Sequence, residues 1–425
     1  MKNLIPLIAF LLLLSCNSEK KDKITNSDEY NQYLVSEKPK TTSKYFNLWN
    51  SKIKPDSIQL TSFGIVASQY DSYFKATGEI DYLKKSEQAL EKAVEIAATG
   101  RSGYRRSLAR NYISQHRFKD ALMQAETALE IGAGLKETQS LLFDIHMELG
   151  NYDLAKTFLE SIKEGSNFEF LIRAAKWNDH KGDLASTINY MEQAKEKAEK
   201  TASKPLILWA YTNLADYYGH AGRIKESYTY YLKSLELDHQ NAYAKKGIAW
   251  IVFSHEKNPK EALRILDSVT KNNTSPDYYL LKSEIAAYMG DQEEHSINLD
   301  AYIMRVKNPK YGDMYNAYNI DLYLNQTGQL EKALALAKRE VDNRPTPESY
   351  NFLAYSYYKL NDKEKALKIV EKYIEGKTFE PAVLVNAAEI YKANGYNTKS
   401  IELKKELLGA LYELGPNMKS KIESL

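Results

Sequence analysis

The stretch GNYDLAKTFLESI at residues 150–162 recurs in related form along most of the chain. Similar stretches are GDLASTINYMEQA at 182–194, GRIKESYTYYLKSL at 222–235, GDQEEHSINLDAY at 290–302 and GQLEKALALAKRE at 328–340. Each begins with Gly and a short turn, and continues with apolar residues three and four positions apart, which is the spacing of an amphipathic helix. A second helical pattern lies ahead of each stretch, as in LILWAYTNLADYYGHAG at 206–222. The sequence therefore predicts a series of helix pairs.

One residue, usually small, marks the place where the second helix of each predicted pair crosses the first. These residues recur at intervals of 32 to 40 positions, and His295 is the one large side chain among them. The set is Ser86, Ala121, Ala155, Thr187, Ser227, Ala262, His295, Ala333, Ala366 and Ser400. Helices pack about 8 Å apart, the lower end of the usual range, only where the side chains between them are small. The intervals predict about ten stacked pairs with one continuous core. At His295 we expect a local packing cost of about 1–3 kcal/mol.

This pattern resembles the tetratricopeptide repeat (TPR), whose unit is about 34 residues long. Further sites of that family recur in the first helices. Small residues stand at Ala109, Ala175, Ala215, Ala354 and Ala388, and aromatic residues follow three positions later at Tyr112, Tyr218, Tyr357 and Tyr391. The resemblance covers residues 57–412. It implies an all-α fold, an α-solenoid of about ten helix-turn-helix repeats wound into a right-handed superhelix with a concave groove.

The N-terminus has the layout of a secretory signal, with Lys2 followed by a short apolar run. The residues Leu-Leu-Ser-Cys at 13–16 resemble the bacterial lipobox, and Cys16 is the single cysteine of the chain. The resemblance implies that residues 1–15 are removed as a signal peptide and that lipid is attached to Cys16. The chain would then be anchored in the cell envelope, at the outer membrane on its periplasmic face or its surface. An ordinary signal peptide with an incidental cysteine is the alternative.

Three further segments flank the repeats. Residues 16–43 are polar and charged with few aliphatic side chains, which predicts a flexible tether. Residues 44–56 contain Phe46, Leu48 and Trp49, and we expect them to cover the exposed end of the first pair. The polar residues 413–425 form a C-terminal tail that suits an outer cap at the other end.

Charge and motifs exclude several classes of function. Lys and Arg number 58 and Asp and Glu number 56, a balance that argues against a strongly basic nucleic-acid binder. The HExxH, GxSxG and P-loop motifs are all missing, so the sequence predicts neither an enzyme nor a bound cofactor. His180, His220 and His255 share one place in successive repeats. Equivalent residues of stacked repeats should lie about 10 Å apart, which favours rings near helix C-termini over one shared metal ion.

Two first helices carry a second stripe of side chains, offset by one residue from the packing stripe. In TPR proteins this stripe lines the concave face, where peptides bind. Tyr offers a large, rigid contact with a hydroxyl, and Asn can bond a peptide backbone. The predicted ligand surface consists of Tyr315, Tyr318, Asn325, Asn351, Tyr355 and Tyr358. Packing between repeats is the alternative explanation, because 33 of the residues are Tyr.

The resemblances together imply a lipid-anchored scaffold that binds a protein or an extended peptide through its concave groove. Two alternatives stay open. SusD-like glycan-binding lipoproteins use similar helix pairs with long insertions, whereas the added length between repeats here is at most about six residues. An assembly factor that docks on an outer-membrane complex would follow the same logic in a shorter chain.

Overall fold

The computed structural model describes residues 23–35, 37–54, 56–163 and 167–425. Within these ranges the chain forms helices joined by loops and contains no β-strand. Two short helices, α1 (Ser27–Tyr30) and α2 (Lys44–Asn50), come first. Ten consecutive pairs follow, namely α3 (Leu60–Thr77) with α4 (Ile80–Ile96), α5 (Arg101–Ser114) with α6 (Phe118–Ile131), α7 (Leu135–Glu148) with α8 (Tyr152–Ser161), α9 (Phe168–His180) with α10 (Leu184–Thr201), α11 (Lys204–His220) with α12 (Ile224–Leu237), α13 (Ala242–Trp250) with α14 (Pro259–Thr270), α15 (Pro276–Met289) with α16 (Gln292–Val306), α17 (Asn316–Asn325) with α18 (Leu330–Asn343), α19 (Pro347–Lys359) with α20 (Lys363–Tyr373), and α21 (Pro381–Ala393) with α22 (Asn397–Gly409). The short helices α23 (Leu411–Leu414) and α24 (Lys419–Glu423) end the chain.

Four short irregular turns complete the helical content of the described ranges. A π-helical turn, Ile251–His255, extends α13, and 3-10 turns lie at Asn31–Tyr33, Pro309–Tyr311 and Pro416–Met418. The all-α solenoid of about ten helix pairs that the sequence predicted is therefore confirmed.

The small residues predicted at the helix crossings form the spine of the core. Their side chains are fully buried in nine of the ten pairs, at Ser86, Ala121, Ala155, Thr187, Ser227, Ala262, Ala333, Ala366 and Ser400. The small residues predicted in the first helices are equally buried, at Ala109, Ala175, Ala215, Ala354 and Ala388. This burial confirms the predicted register of both helices.

His295 occupies the remaining crossing, in the seventh pair, and is accommodated by a hydrogen-bonding neighbour. Its Nδ1 lies 2.8 Å from the hydroxyl oxygen and 3.0 Å from the carbonyl oxygen of Ser283 on α15. The side chain of Ser283 is small and buried, so it leaves space for the ring. The hydrogen bond offsets the expected cost of placing a polar ring in a helix crossing.

The solenoid curls until it contacts itself. The turn between the two helices of one pair contacts the loop that precedes the pair six places later in the chain. The backbone N–H of Thr274, ahead of α15, donates to the carbonyl of Thr77 at 2.7 Å, and Arg344, ahead of α19, forms an ion pair with Glu148 at 3.1 Å. These contacts join residues 197 and 196 positions apart. One turn of the superhelix therefore comprises about six pairs.

Two glycines serve both the turn and this contact between successive superhelical turns. Gly150 and Gly182 have φ of 70° and 73°, in the left-handed region that favours glycine. A Cβ at Gly150 would lie 2.8 Å from the carbonyl oxygen of Pro345, and one at Gly182 would lie 2.7 Å from the ring of Phe379. Any side chain at these positions would therefore push the two superhelical turns apart.

The described part of the predicted tether is folded, so the prediction of a flexible segment is wrong over residues 24–34. Tyr30 is 1% exposed and its hydroxyl donates to Glu261 at 2.7 Å. The backbone N–H groups of Ile24 and Thr25 donate to Glu256 at 2.8 and 2.6 Å. The prediction of a flexible tether rested on the scarcity of aliphatic residues, whereas the buried side chains of this segment include the tyrosine Tyr30. Residues 1–22, with the predicted signal peptide and Cys16, lie outside the described residues.

The segment that follows packs on the first pair. Phe46 of α2 is buried, and its ring centroid lies 5.3 Å from that of Tyr70 and 5.5 Å from that of Tyr73 on α3. Leu48 stays exposed.

Among the described residues, no helix combines the length and the apolar character that a bilayer crossing requires.

The C-terminal residues do more than cap the last pair. Ile422 and Leu425 are buried in one cluster with Val385, Ala388 and Leu407 of that pair. Before reaching it, the tail, which in the structure begins with α23 (Leu411–Leu414), runs across the inside of the superhelix. It contacts α11, the turn after α13, and α15. The sequence did not predict this path, because it depends on contacts between successive superhelical turns.

The tail occupies the place that an eleventh pair would take in the six-pair pattern. The carboxylate of Glu413 lies 3.3 Å from Nδ1 of His220, at the end of the first helix of the fifth pair. The carbonyl of Tyr412 accepts hydrogen bonds from Nε1 of Trp250 at 3.1 Å and from the hydroxyl of Ser254 at 2.6 Å. Interior side chains thus hold a polypeptide main chain.

A larger side chain at a crossing should force the two helices apart. We expect Ala333→Leu, at a fully buried crossing of α18, to lower the free energy of unfolding by about 1–3 kcal/mol through overpacking. Ala335→Leu on the exposed side of the same helix should change it by no more than about 0.5 kcal/mol. Urea unfolding followed by circular dichroism measures both. Equal stabilities of the two variants would contradict close packing at this crossing.

The contact between His220 and the tail should make stability depend on pH. Burial alone lowers the pKa of His220, but the hydrogen bond and charge of Glu413 raise it to about 9, above the ordinary value of about 6.5. The protonated ring therefore stabilises the fold fully below about pH 6.5, and this stabilisation disappears as the pH rises through about 9.

We expect the melting temperature of the wild type to exceed that of His220→Gln at pH 6, and the difference to shrink toward pH 10. Both proteins share all other titrating groups, so the difference reports on His220. A difference that stays constant between pH 6 and pH 10 would rule out this contribution.

Candidate functional site

One position in each first helix from α5 onward marks the inner surface of the superhelix. It directly follows a fully buried residue of the same first helix, such as Ala109, Ala215 or Ala354. We name the residues at this position the interior column: Arg110, Asp144, Lys176, Asp216, Trp250, Glu284, Asp321, Tyr355 and Glu389. Charges alternate up to Asp216. From there onward the column contains carboxylates and aromatic rings and no cation.

Three consecutive members of the interior column line one cavity of about 470 Å³, which we name the central cavity. These are Asp216, Trp250 and Glu284, on α11, α13 and α15. Residues three and four positions apart share one face of a helix. Tyr243 and Lys246 therefore join Trp250 on the wall formed by α13, and Asp277 joins Glu284 on the wall formed by α15. Tyr318 of α17 completes the lining on the next helix.

Asp216 is held by two tyrosine hydroxyls at one end of the central cavity. Tyr243 donates to its carboxylate at 2.7 Å, and Tyr231 donates to the other oxygen. The ring of Tyr231 lies where Gly247 has no side chain, which is what lets its hydroxyl reach Asp216. Burial raises the pKa of Asp216, and the two hydrogen bonds lower it. Each carboxylate oxygen of Asp216 thus already accepts one hydrogen bond from a tyrosine hydroxyl.

The single lysine of the central cavity is neutralised by a carboxylate. Nζ of Lys246 lies 3.1 Å from Oδ2 of Asp277. Burial lowers the pKa of Lys246, but Asp277 raises it above its ordinary value, so the ion pair stays charged at neutral pH. Lys246 is therefore engaged by Asp277 and makes no ion pair with Glu284.

Glu284 faces the central cavity without a hydrogen-bond donor to its carboxylate among the described residues. Burial and repulsion from Asp321 raise its pKa, Lys246 lowers it, and the result is about 7. A carboxyl group in this state gains from any donor or cation that a ligand brings to it.

Of the predicted residues Tyr315, Tyr318 and Asn325, the structure places Tyr318 in the lining of this cavity. Tyr318 is 44% exposed and lines it. Tyr315 is half-buried, and its ring centroid lies 5.9 Å from that of Tyr318 and 5.2 Å from that of Tyr311. Asn325 is exposed, but its amide donates to Asp321 at 2.7 Å. Tyr318 is therefore the residue of this group with a ring available to a ligand in the central cavity.

Of the three predicted residues of α19, Tyr355 contacts the tail. Asn351 is buried, and Tyr355 is only 2% exposed. The hydroxyl of Tyr355 donates to Glu389 at 2.7 Å and accepts from Nζ of Lys421 at 3.0 Å. Tyr358 is half-buried, with its ring centroid 5.5 Å from that of Tyr355. Lys421 of the chain's own C-terminus thus engages the hydroxyl of Tyr355, which the sequence offered to a ligand.

Sequence reasoning missed most of the central cavity. Asp216, Tyr243, Lys246, Asp277 and Glu284 were absent from the predicted surface, although Asp216 and Glu284 occupy the same column position as Tyr355. The rule that the residue after the crossing faces inward would have found them. The predicted ligand surface is confined to residues 315–325 and 351–358, whereas these five residues lie on α11, α13 and α15.

The three histidines in equivalent positions serve different partners. The ring centroid of His180 lies 4.0 Å from that of Tyr152, and His220 contacts Glu413. His255 lies in the π-helical turn after α13. In the part of the chain that the structure describes, no group of three or more His, Cys, Asp or Glu side chains is arranged to hold a metal ion.

Two parts of the chain, residues 210–241 and 347–375, match the family model of the tetratricopeptide repeat. They coincide with pairs α11/α12 and α19/α20, which carry Asp216 and Tyr355 of the interior column. The chain therefore contains TPR units, and one of them, α11/α12, contributes Asp216 to the central cavity. No curated protein matches the sequence.

Three solved structures are similar over much of the chain. Yeast Tom70 shares 14% identity, covers 85% of this chain and 86% of its own, and has a TM-score of 0.39. The human IFIT1 dimer with PPP-AAAA shares 12% identity over 88% and 96%, with a TM-score of 0.44. A tetratricopeptide repeat protein from Parabacteroides merdae shares 16% identity over 61% and 97%, with a TM-score of 0.35. These likenesses carry no information about a ligand or partner of this chain.

Proposed function

We propose that the protein is a lipid-anchored scaffold of the bacterial cell envelope that binds an extended polypeptide on the inside of its superhelix. The observation that carries the binding proposal is the path of the tail. Trp250 and Ser254 donate hydrogen bonds to the carbonyl of Tyr412, so this surface has the donors that a polypeptide main chain needs. Protein or peptide binding is also the usual use of a TPR groove, and the matched unit α11/α12 contributes Asp216 to the central cavity.

The central cavity offers the side-chain contacts for such a partner. Tyr318 presents an exposed ring, and Tyr243 and Trp250 add aromatic surface to the same walls. Aromatic residues dominate the affinity of many protein interfaces because they bury a large area at low entropic cost. Tyr318 is therefore the proposed anchor, while Tyr355 and Asn351 act through packing under the tail.

Removing the exposed ring should weaken binding without unfolding the protein. Twelve-residue peptides can be selected from a random phage-displayed library on the full-length protein, and their Kd measured by fluorescence anisotropy. We expect Tyr318→Ala to raise Kd about tenfold or more, since truncating an aromatic anchor commonly costs more than about 1 kcal/mol.

Tyr396→Ala is the matched control, because Tyr396 is 43% exposed but does not line the central cavity. Its Kd should equal that of the wild type, and both variants should melt like the wild type. Failure to select any peptide, or equal affinity of Tyr318→Ala and wild type, would refute the proposal. Binding to a glycan array would favour the SusD-like alternative.

The lipid anchor rests on the lipobox-like residues 13–16 and on the single cysteine. Two or more acyl chains hold a protein stably at a membrane, at about 0.8 kcal/mol per buried CH₂. We expect the wild type to partition into Triton X-114 and to carry acyl mass on a new N-terminal Cys16, whereas Cys16→Ala stays in the aqueous phase. A wild type with an unmodified Cys16 and no detergent partitioning would disprove the anchor, whatever the peptide assay shows.

A further inference from the structure

We propose that the central cavity binds the cationic side chain of a lysine or arginine in the partner polypeptide. The inference rests on the function proposed above and specifies the chemistry of the partner. It follows from the charge of the cavity, from the partners of each charged group, and from a lysine that the same interior column already holds.

Negative groups outnumber positive ones in the central cavity. Its lining contains the carboxylates of Asp216, Asp277, Glu284 and Glu413 and a single ammonium group, that of Lys246. A concave site surrounded by protein focuses such a field and raises the local concentration of cations. An acidic segment would have to approach these carboxylates with its own negative charge, which is unfavourable.

Every carboxylate of the cavity except that of Glu284 already has a hydrogen-bond or ion-pair partner in the structure. Two tyrosine hydroxyls hold Asp216, Asp277 pairs with Lys246, and Glu413 pairs with His220. No described residue donates a hydrogen bond to the carboxylate of Glu284. A cation from a partner would meet this carboxylate, with Asp321 as a second negative group close enough to raise its pKa.

The interior column provides a precedent for this binding mode. At its C-terminal end, Nζ of Lys421 lies 2.9 Å from Oε2 of Glu389 and 4.9 Å from the ring centroid of Tyr355. Its hydrogen bonds to the hydroxyl of Tyr355 (3.0 Å) and to Asn386 (3.4 Å) complete the site. One aromatic ring and one carboxylate from neighbouring first helices thus hold a lysine of the tail.

The central cavity repeats this combination of a ring and a carboxylate. Glu284 and Trp250 occupy the column positions that correspond to Glu389 and Tyr355, and they too lie on neighbouring first helices. Tyr318 adds an exposed ring to the same lining. A cation near the face of an aromatic ring gains from the ring quadrupole in addition to the carboxylate, so the second site should prefer lysine and arginine over neutral side chains of similar size.

The test compares a charged and a neutralised side chain on one peptide. Peptides selected on the full-length protein should contain Lys or Arg at one enriched position. We expect replacement of that residue by acetyl-lysine to raise Kd about tenfold on the wild type. On Glu284→Gln, the two peptides should bind within about twofold of each other, because this variant lacks the carboxylate that attracts the charged side chain.

Glu196→Gln, on the exposed face of α10, is the matched control and should keep the tenfold preference. Thermal unfolding of both variants shows whether they are folded. A preference for the charged peptide that survives in Glu284→Gln, or selected peptides that lack Lys and Arg but lose affinity in Tyr318→Ala, would overturn the inference while leaving the proposed function intact. Absence of any selected peptide would remove both.

Discussion

Two helices can approach to about 8 Å only where the side chains between them are small, and this constraint organises the whole solenoid. Ala, Ser or Thr fills nine of the ten crossings, and all nine side chains are fully buried. The crossing fixes the rotation of each first helix. The residue that follows the buried small residue of that first helix, as Asp216 follows Ala215, then faces the inside of the superhelix. A single packing contact therefore sets both the core and the chemistry of the interior column, which runs from Arg110 to Glu389.

The second level of order is the contact between successive superhelical turns. Hydrogen bonds and ion pairs such as Thr274 with Thr77 and Arg344 with Glu148 recur after six pairs. Gly150 and Gly182 permit this approach because they carry no side chain at the point of closest contact. The tail takes the next place in the same pattern. It therefore fills the interior beside Tyr355 and leaves the central cavity as the inner surface with an exposed aromatic ring.

The sequence predicted what is local and periodic. Helix pairs, crossing residues and their register follow from spacing alone, and the structure confirms them from Ser86 to Ser400. The sequence did not predict the contacts that join successive superhelical turns. The hydroxyl of Tyr355 is engaged by Lys421, which is 66 positions away, and the hydroxyl of Tyr30 is held by Glu261, which is 231 positions away. No period of 34 residues encodes such contacts.

The docked N-terminal segment also bears on the distance between the solenoid and a membrane. Ile24 is fixed to Glu256 by its backbone N–H, so only eight peptide steps separate it from Cys16. A chain of that length spans at most about 29 Å even when fully extended. Acyl chains on Cys16 would therefore hold the region around α13 and α14 close to the lipid headgroups. The solenoid would then have a preferred side toward the bilayer, and the opposite side would be the one presented to an approaching partner.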